Sequence, residues 1–251
     1  MKSLVKKLIP DLFLDRFRYL RRLIEQKQNF NKSTEEVFTE IYEKNKWGGS
    51  KGEFCSGSGS VDKHIVSAYI SIINETASRE RFSGLTFVDL GCGDFRVGKQ
   101  LLPLCSNYIG VDIVKILVDR NQENYGNSIT KFVYLDIVKD ELPEGDVCFI
   151  RQVLQHLSNQ QISLILHKLK KYRWVFITEH YPSENTSIVP NLDKVHGVDI
   201  RIYKNSAVYL TEPPFELPGK SIKKVLEVPG NGLGLENDPG IICTYLYKPG
   251  M

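Results

Sequence analysis

The chain has 251 residues, of which 41% are hydrophobic and 25% charged, and its formal net charge is +3. This length suits one large α/β domain with an extension, and the composition excludes an intrinsically disordered chain. Residues 1–30 contain eight Lys or Arg and three Asp or Glu. Subtracting these from the totals of 33 and 30 leaves 25 basic and 27 acidic residues, so the rest of the chain lacks the basic surplus of a nucleic-acid-binding protein.

The five cysteines show no CxxC or Cys/His spacing and several lie in apolar runs. This pattern predicts reduced thiols in a cytoplasmic protein. No apolar run approaches the roughly 18 residues of a membrane span, and residues 1–30 lack the continuous apolar centre of a signal peptide. We therefore expect a cytoplasmic location.

A basic amphipathic helix is predicted after Pro10. Its apolar stripe is interrupted by five Arg or Lys residues. Such a helix either lies peripherally on an anionic membrane or covers the domain or a partner, and the sequence leaves both open. The stripe consists of Leu12, Phe13, Phe17, Leu20 and Ile24, and the basic residues are Arg16, Arg18, Arg21, Arg22 and Lys27.

A second helix is predicted from Ser33, which has capping-box spacing to Glu36. The Gly-rich stretch 45–60 follows. A flexible linker is one interpretation, but Trp47 and Phe54 are costly to leave in water, so we predict a lid over a ligand. Ser60 is predicted to cap a third helix, which ends near Ser83 and Gly84.

The central motif is TFVDLGCGDFRVGKQLL, from Thr86 to Leu102. An apolar run reaches a tight Gly-Cys-Gly turn and continues as a helical pattern, which predicts strand, turn and helix. Gly91 and Gly93 permit positive φ and close approach of a ligand. In doubly wound α/β sheets such turns lie at the carboxyl ends of the strands, where nucleotide-like ligands bind.

A dinucleotide site is one alternative for this turn. Its GxGxxG pattern is broken here, because Arg96 stands where the last glycine is needed. The segment DLGCGD instead resembles motif I of the class I S-adenosylmethionine (SAM) methyltransferases. The resemblance implies that Asp89, Gly91, Cys92 and Gly93 line the methionine half of SAM.

Asp112 ends the apolar run NYIGVD, 23 residues after Asp89. A carboxylate at the end of a second strand is placed to accept both ribose hydroxyls, because it has two acceptor oxygens. A third strand, KFVYLDI, reaches Asp136. The resemblance implies that Asp136 accepts from the adenine amino group and that Ile113 and Ile137 pack near the base, whereas a plain capping or surface aspartate is the alternative for Asp136.

The fourth and fifth predicted strands bring further polar residues to the same edge of the sheet. After the fourth, VLQHL resembles a segment common in small-molecule methyltransferases. We expect Gln152 and Trp47 at the cofactor, and Arg151, Arg201 and His196 at the acceptor. The remaining candidates, predicted to be catalytic, are His180, His156 and Glu179.

The resemblance covers residues 85–248 and implies a Rossmann-like α/β fold: a seven-stranded, mostly parallel sheet with an antiparallel last strand and an N-terminal helical extension. The predicted division is 1–60 for the extension and lid, and 61–251 for the methyltransferase domain. Residues 182–218 form the predicted acceptor-recognition insertion. No metal pattern is recognised among the candidate ligands Glu179, His180, Asp193, His196 and Asp199.

The predicted function is SAM-dependent O-methylation of a small molecule. IYEKNKWGG, SGSGS, DIR and VYLTEPPF resemble methyltransferases of bacterial surface-polysaccharide clusters, including the O-methyl phosphoramidate type, which implies a saccharide or phosphorylated acceptor. One alternative is a SAM-binding regulator or scaffold without catalysis. Another is a nucleic-acid methyltransferase, disfavoured because IRQV stands where amino-methylating DNA enzymes carry [DN]PP[YF]. The base is predicted to be His180, held by Glu179, ahead of His156. The oligomeric state is left open.

Overall fold

A computed structural model describes residues 11–50, 53–183, 187–230 and 240–250, with only the backbone described for 11–19. One seven-stranded sheet has the order β3-β2-β1-β4-β5-β7-β6. Its strands are β1 (Thr86–Leu90), β2 (Asn107–Asp112), β3 (Thr130–Tyr134), β4 (Val147–Arg151), β5 (Trp174–Tyr181), β6 (Ile222–Pro229) and β7 (Ile241–Tyr247). Strands β1 to β5 pair in parallel, and β7 runs antiparallel to both β5 and β6. The predicted fold class is confirmed.

Helices cover both faces of this sheet. The described helices are α1 (Asp11–Asn29), α2 (Thr34–Glu43), α3 (Ser58–Val61), α4 (Lys63–Glu80), α5 (Lys115–Tyr125) and α6 (Asn159–Lys168), and 3-10 turns include Gly98–Leu104, Leu154–His156 and Arg201–Lys204. One apolar cluster contains Val88, Ile150 and Ile177, and the other contains Phe87, Phe149 and Phe176. The alternation of neighbouring residues between clusters follows from the two-residue period of a strand.

Helix α2 belongs to the main core. Its buried Val37, Phe38 and Ile41 pack in the same cluster as the sheet residues Val88 and Ile150. The predicted capping box is confirmed, because the Ser33 hydroxyl accepts from the Glu36 N–H and the Glu36 carboxylate accepts from the Ser33 N–H. Helix α2 is therefore built into the core of the domain that holds the site.

Helix α1 turns polar residues toward the domain. Lys46 donates to Glu25 at 2.7 Å, and Asn29 is 6% exposed. By contrast Leu20 and Ile24, from the predicted apolar stripe, are exposed. The predicted helix is confirmed, while the side chains of Leu12, Phe13, Arg16, Phe17 and Arg18 lie outside the described residues. Membrane contact stays a prediction.

Two local predictions were wrong. Asp62, rather than Ser60, caps the helix before β1: its carboxylate accepts from the N–H groups of His64 and Ile65. The segment after the glycine turn forms a 3-10 helix over Gly98–Leu104 instead of an α-helix. Pro103 within it removes a backbone donor and obstructs a regular α-helical ladder.

Within the described ranges no helix is long and apolar enough to cross a membrane. All five cysteines are described, and no disulfide joins them. Three of them, Cys92, Cys148 and Cys243, are buried.

Candidate functional site

A cavity of about 360 Å³ lies at the carboxyl ends of the central strands. Its floor includes Asp89, Asp112 and the glycine turn, and its roof includes Phe38 and Trp47. This volume is within the ~300–1,000 Å³ range of small-molecule sites. The cavity thus forms where the topology of a doubly wound sheet predicts a ligand.

The glycine turn after β1 leaves no room for side chains. Gly91 and Gly93 have φ of +75° and +56°. A Cβ on Gly91 would lie 2.5 Å from a methyl of Val153, and one on Gly93 would lie 2.3 Å from the Ser56 hydroxyl. Bare backbone at this point keeps the cavity open and lets the chain segments around it approach closely.

Asp112 ends β2 with a carboxylate that is 7% exposed. Its oxygens accept one backbone bond each, from the N–H of Gly93 and of Val114, both at 3.0 Å. Burial raises the pKa of Asp112, and the backbone donors, Val114 first, oppose that shift. A carboxylate has about four acceptor positions, so both oxygens can still receive a ligand hydroxyl.

Asp89 lies 8% exposed at the end of β1. The Tyr108 hydroxyl donates to its carboxylate. Burial raises the pKa of Asp89 to about 6, while the bond from Tyr108 and the charge of Arg151 oppose that shift. A cationic ligand placed here would stabilise the ionised carboxylate further.

An apolar slot adjoins Asp112. It is lined by Ile113, Leu135 and Ile137, which follow β2 and β3 and pack against the same apolar cluster. Asp136 lies at its edge, beyond the end of β3. A flat heterocycle suits such a slot, because apolar walls cover its faces and a few polar groups fix its orientation.

The segment from Glu53 to Gly57 closes over the turn. The Asp94 N–H donates to the Ser56 hydroxyl at 2.8 Å, and the Ser56 N–H donates to the Asp94 carboxylate at 3.2 Å. The Tyr42 hydroxyl lies 2.9 Å from the same Ser56 oxygen. The Trp47 ring lies against Tyr42 with centroids 5.2 Å apart. The loop predicted as a lid therefore lies over the cavity, although Lys51 and Gly52 are outside the described residues.

Comparisons with known proteins agree with this geometry. A family model described as a methyltransferase domain matches residues 88–171. The chain has the class I SAM-dependent methyltransferase fold. Its structure resembles the 1,6-didemethyltoxoflavin N1-methyltransferase of Burkholderia thailandensis, with 13% identity, a TM-score of 0.58 and coverage of 85% of this chain and 86% of that one.

Two further solved structures have the same fold. N-methyltransferase NodS from Bradyrhizobium japonicum is 13% identical, with a TM-score of 0.53 and coverage of 75% of this chain and 89% of that one. Human N-acetylserotonin methyltransferase is 16% identical, with a TM-score of 0.53 and coverage of 88% of this chain and 61% of that one. The solved structures of these two proteins were determined in complex with S-adenosylhomocysteine, for NodS, and with S-adenosylmethionine, for human N-acetylserotonin methyltransferase. No curated protein matches the chain.

All ten residues predicted to contact the cofactor line the cavity of the methyltransferase domain: Trp47, Asp89, Gly91, Cys92, Gly93, Asp112, Ile113, Asp136, Ile137 and Gln152. They fit SAM by chemistry. The buried Asp112 offers acceptors to a ribose, the slot offers apolar cover to a base, and Asp89 offers a carboxylate to an ammonium. Their individual roles stay predictions.

Asp136 also has a local role. Its carboxylate accepts from the Val138 N–H at 2.9 Å and lies 3.4 Å from the Lys139 ammonium. The capping alternative is thus present in the structure. Because Asp136 also lines the cavity, contact with a bound base is compatible with that role.

Glu179 does not orient His180, so that prediction was wrong. Neighbouring residues of a strand point to opposite faces, and both are in β5. The fully buried Glu179 carboxylate accepts from the backbone N–H groups of Val153, Leu154 and Gln155, at 3.2, 2.8 and 3.1 Å. Glu179 therefore fixes the turn after β4, and it does not line the cavity.

The three candidate histidines have different positions. His180 lines the cavity from the end of β5. His156 also lines it, but its Nδ1 lies 3.1 Å from the Gly197 carbonyl, and burial, followed by the charge of Lys194, lowers the pKa of His156 to about 3. His196 lies outside the cavity, with its Nε2 3.1 Å from the Lys32 carbonyl. The expectation that His196 contacts the acceptor is not supported by this position.

The two candidate arginines differ as well. Arg151 lines the cavity and donates to the Gly59 carbonyl at 2.5 Å and to the Ser60 hydroxyl at 3.3 Å, which fixes helix α3. Arg201 does not line it. Its guanidinium donates to the carbonyls of Leu192 and, at 2.7 Å, Leu157. Arg201 therefore lies outside this cavity, and its predicted contact with the acceptor stays a prediction.

Among the described residues no three His, Cys, Asp or Glu side chains form a group that could hold a metal. Sequence reasoning missed other residues of the site. Asp94 stood inside the DLGCGD motif, and its position beside the glycines was a usable signal. Ser56 and Tyr203 had none, because their place in the site depends on contacts between distant segments.

Proposed function

We propose that the protein catalyses SAM-dependent O-methylation of a small polar acceptor, a saccharide or phosphorylated precursor of surface polysaccharide. The observation that carries this proposal is that the cavity is lined by residues other than the cofactor residues as well. They include His156, His180, Val198, Ile200 and Tyr203, which we call the acceptor end. A cavity of about 360 Å³ suits a small molecule rather than a nucleic-acid duplex.

Aromatic side chains of α2 and of the loop after it lie beside the acceptor end. Trp47 lies 5.1 Å from the His156 ring, centroid to centroid, and Phe38 lies 6.3 Å from it. Aromatic cover of this kind excludes water from a transfer site. It also offers flat apolar surface to a sugar ring or other small substrate.

His180 is the proposed base. It is 2% exposed, lines the cavity, and comes from a central strand that holds its backbone rigidly. A hydroxyl acceptor gains from such a base, typically by 10²- to 10⁴-fold. His156 is the weaker candidate, because burial keeps its imidazole neutral to about pH 3 and makes it a poor proton acceptor.

The other residues bind and align. Asp112 and the apolar slot hold the nucleoside part, and Asp89 faces the amino-acid part. Bound SAM supplies a methyl group on a positively charged sulfur, which is already activated for transfer. The task left to the chain is to align the nucleophile with that methyl and to exclude water.

The test is to incubate the protein with SAM carrying a ¹³C-labelled methyl and a panel of sugar phosphates and nucleotide sugars. S-adenosylhomocysteine formation and a new O-methyl carbon signal are expected with at least one acceptor, and more slowly with Asp112→Asn when SAM is below saturation. Labelled nitrogen-methyl products would refute O-methylation. SAM binding without turnover across the panel would favour a regulatory or scaffold role.

A further inference from the structure

A second, smaller cavity of about 70 Å³ lies between helix α1 and the segment 192–206. We call it the cationic cavity, since four basic residues and two acidic residues line it. The basic residues are Arg22, Lys194, Arg201 and Lys204, and the acidic ones are Asp193 and Asp199. Ile200 and Tyr203 line both this cavity and the acceptor end of the main one.

The two carboxylates of the cationic cavity have partners of their own. Asp193 accepts from the backbone N–H groups of Asn159 and Lys194, both at 2.8 Å. Asp199 lies 3.8 Å from the Arg22 guanidinium. Arg22 also stacks over the Tyr203 ring, 3.7 Å from its centroid. Because four basic and two acidic residues line the cavity, its described lining carries a formal surplus of positive charge.

Arg201 is a buried cation and Lys194 a half-buried one, and neither has a full set of acceptors among the described residues. Arg201 is 3% exposed, and its buried Nε has no hydrogen-bond partner among the described residues. The Lys194 ammonium donates to the His156 carbonyl at 3.3 Å. Burial, followed by the charge of Arg201, lowers the pKa of Lys194 to about 7. Burying two neighbouring cations is costly unless an anion accompanies them.

We propose that the cationic cavity binds a phosphate-type oxyanion. The cavity volume of about 70 Å³ is several times the roughly 10–15 Å³ that one water molecule needs on the same measure, so the cavity has room for a small anion. Guanidinium and ammonium groups together are the usual partners of phosphate. Binding of an oxyanion in this cavity does not depend on the proposed function. Only the statement that the oxyanion is a phosphate group of the acceptor rests on it.

The source of the anion is either a phosphate group of the acceptor or free phosphate. Ile200 and Tyr203 line both cavities, so the cationic cavity lies next to the acceptor end, and this proximity favours a phosphate group of the acceptor. Lys194 and Arg201 also donate to the carbonyls of His156 and Leu157. An anion held by these cations therefore acts on the same turn that carries His156.

The experiment is calorimetric titration of the full chain with inorganic phosphate, and with chloride at matched ionic strength. Variants are Lys194→Met and Lys204→Ala, with Lys223→Ala on β6 as the exposed control. Saturable phosphate binding is expected, weakened at least about tenfold in both variants and unchanged in the control. Phosphate binding that does not saturate, or that both variants retain, would overturn the proposal.

Lys204 is exposed, so Lys204→Ala keeps the test valid if Lys194→Met fails to fold. Titration of the same proteins with glucose 1-phosphate identifies the source: tighter binding than inorganic phosphate indicates an acceptor phosphate, and equal binding indicates a free anion. Titration with S-adenosylhomocysteine is expected to be unchanged in Lys204→Ala. If the wild type did not bind S-adenosylhomocysteine, that result would count against the proposed function and not against the oxyanion site.

Discussion

Ser56 and Asp94 bind each other reciprocally across the mouth of the cavity: the Asp94 N–H donates to the Ser56 hydroxyl at 2.8 Å, and the Ser56 N–H donates to the Asp94 carboxylate at 3.2 Å. The pair joins the loop after α2 to the turn after β1. Because the two segments are 38 residues apart, the bonds bring a distant loop over the cofactor residues.

Ser56→Ala is predicted to loosen this loop. The change removes the acceptor of the Asp94 N–H and the partner of the Tyr42 hydroxyl, at a cost of about 1–3 kcal/mol in SAM binding. Hydrogen exchange of residues 53–60 should slow when SAM is added to the wild type and slow much less in the variant. Ser67→Ala, on the exposed side of α4, is the control. If SAM protected residues 53–60 from exchange equally in the wild type and in Ser56→Ala, a lid held by Ser56 would be rejected.

Glu179 gives a prediction about pH. Burial raises its pKa to about 8 in the folded protein, from an ordinary value of 4.5, although three backbone donors oppose the shift. Between pH 4.5 and about pH 8, the Glu179 carboxyl is therefore ionised in the unfolded chain and protonated in the folded chain. The free energy of unfolding therefore falls as pH rises through this window, by at most about 1.4 kcal/mol per pH unit.

Glu179→Gln removes the titration and should flatten this part of the stability profile. The side-chain amide of Glu179→Gln would place an N–H donor against one of the three backbone N–H groups, which changes the free energy of unfolding at every pH. The wild type and Glu179→Gln are therefore compared by how steeply that free energy changes with pH, not by its absolute value. Urea unfolding between pH 5 and pH 8 measures both slopes. Glu75→Gln, an exposed glutamate of α4, should keep the wild-type slope. Parallel profiles for wild type and Glu179→Gln would show that Glu179 is ionised throughout the window.

Much of the site was predictable because its signals are local in the sequence. The run before Gly91 and the run ending at Asp112 are apolar strands closed by residues that suit a turn. Parallel pairing of β1 with β2 then brings both ends to one edge of the sheet. Asp89, Gly91 and Asp112, which lie at these strand ends, line the cavity.

The acceptor end was less predictable, since polar residues there serve two purposes. Glu179 and Arg201 have the residue types of a catalytic site, but the fold uses them to bind backbone groups of turns. Strand alternation was a signal that Glu179 and His180 diverge, and it was available from the sequence. No local pattern indicates that Arg201 lies against the Leu157 carbonyl, 44 residues away.

The choice of base gives a kinetic prediction. His180→Ala is expected to slow single-turnover methyl transfer by about 10²-fold or more while SAM affinity is retained. His156→Ala is expected to cost less in that rate, because burial lowers the pKa of His156 to about 3 and makes its ring a weak base, and its Nδ1 lies 3.1 Å from the Gly197 carbonyl oxygen. His167→Ala on the exposed face of α6 is the control. Losses under about tenfold for His156, His180 and His196 alike would reject a histidine base and favour an acceptor that is already ionised.

The most direct test of the account is calorimetric titration with SAM of the wild type, Asp112→Asn and Asp119→Asn. Asp112 lies at the end of β2 in the cavity, whereas Asp119 is an exposed aspartate of α5 paired with Lys115. Asp112→Ala would also remove acceptors from two backbone N–H groups, so the amide is the milder change. Thermal melting confirms that each variant is folded. We predict saturable binding by the wild type, an affinity lower by about 1–3 kcal/mol in Asp112→Asn, and no change in Asp119→Asn. Undiminished SAM affinity in folded Asp112→Asn would contradict the placement of the cofactor.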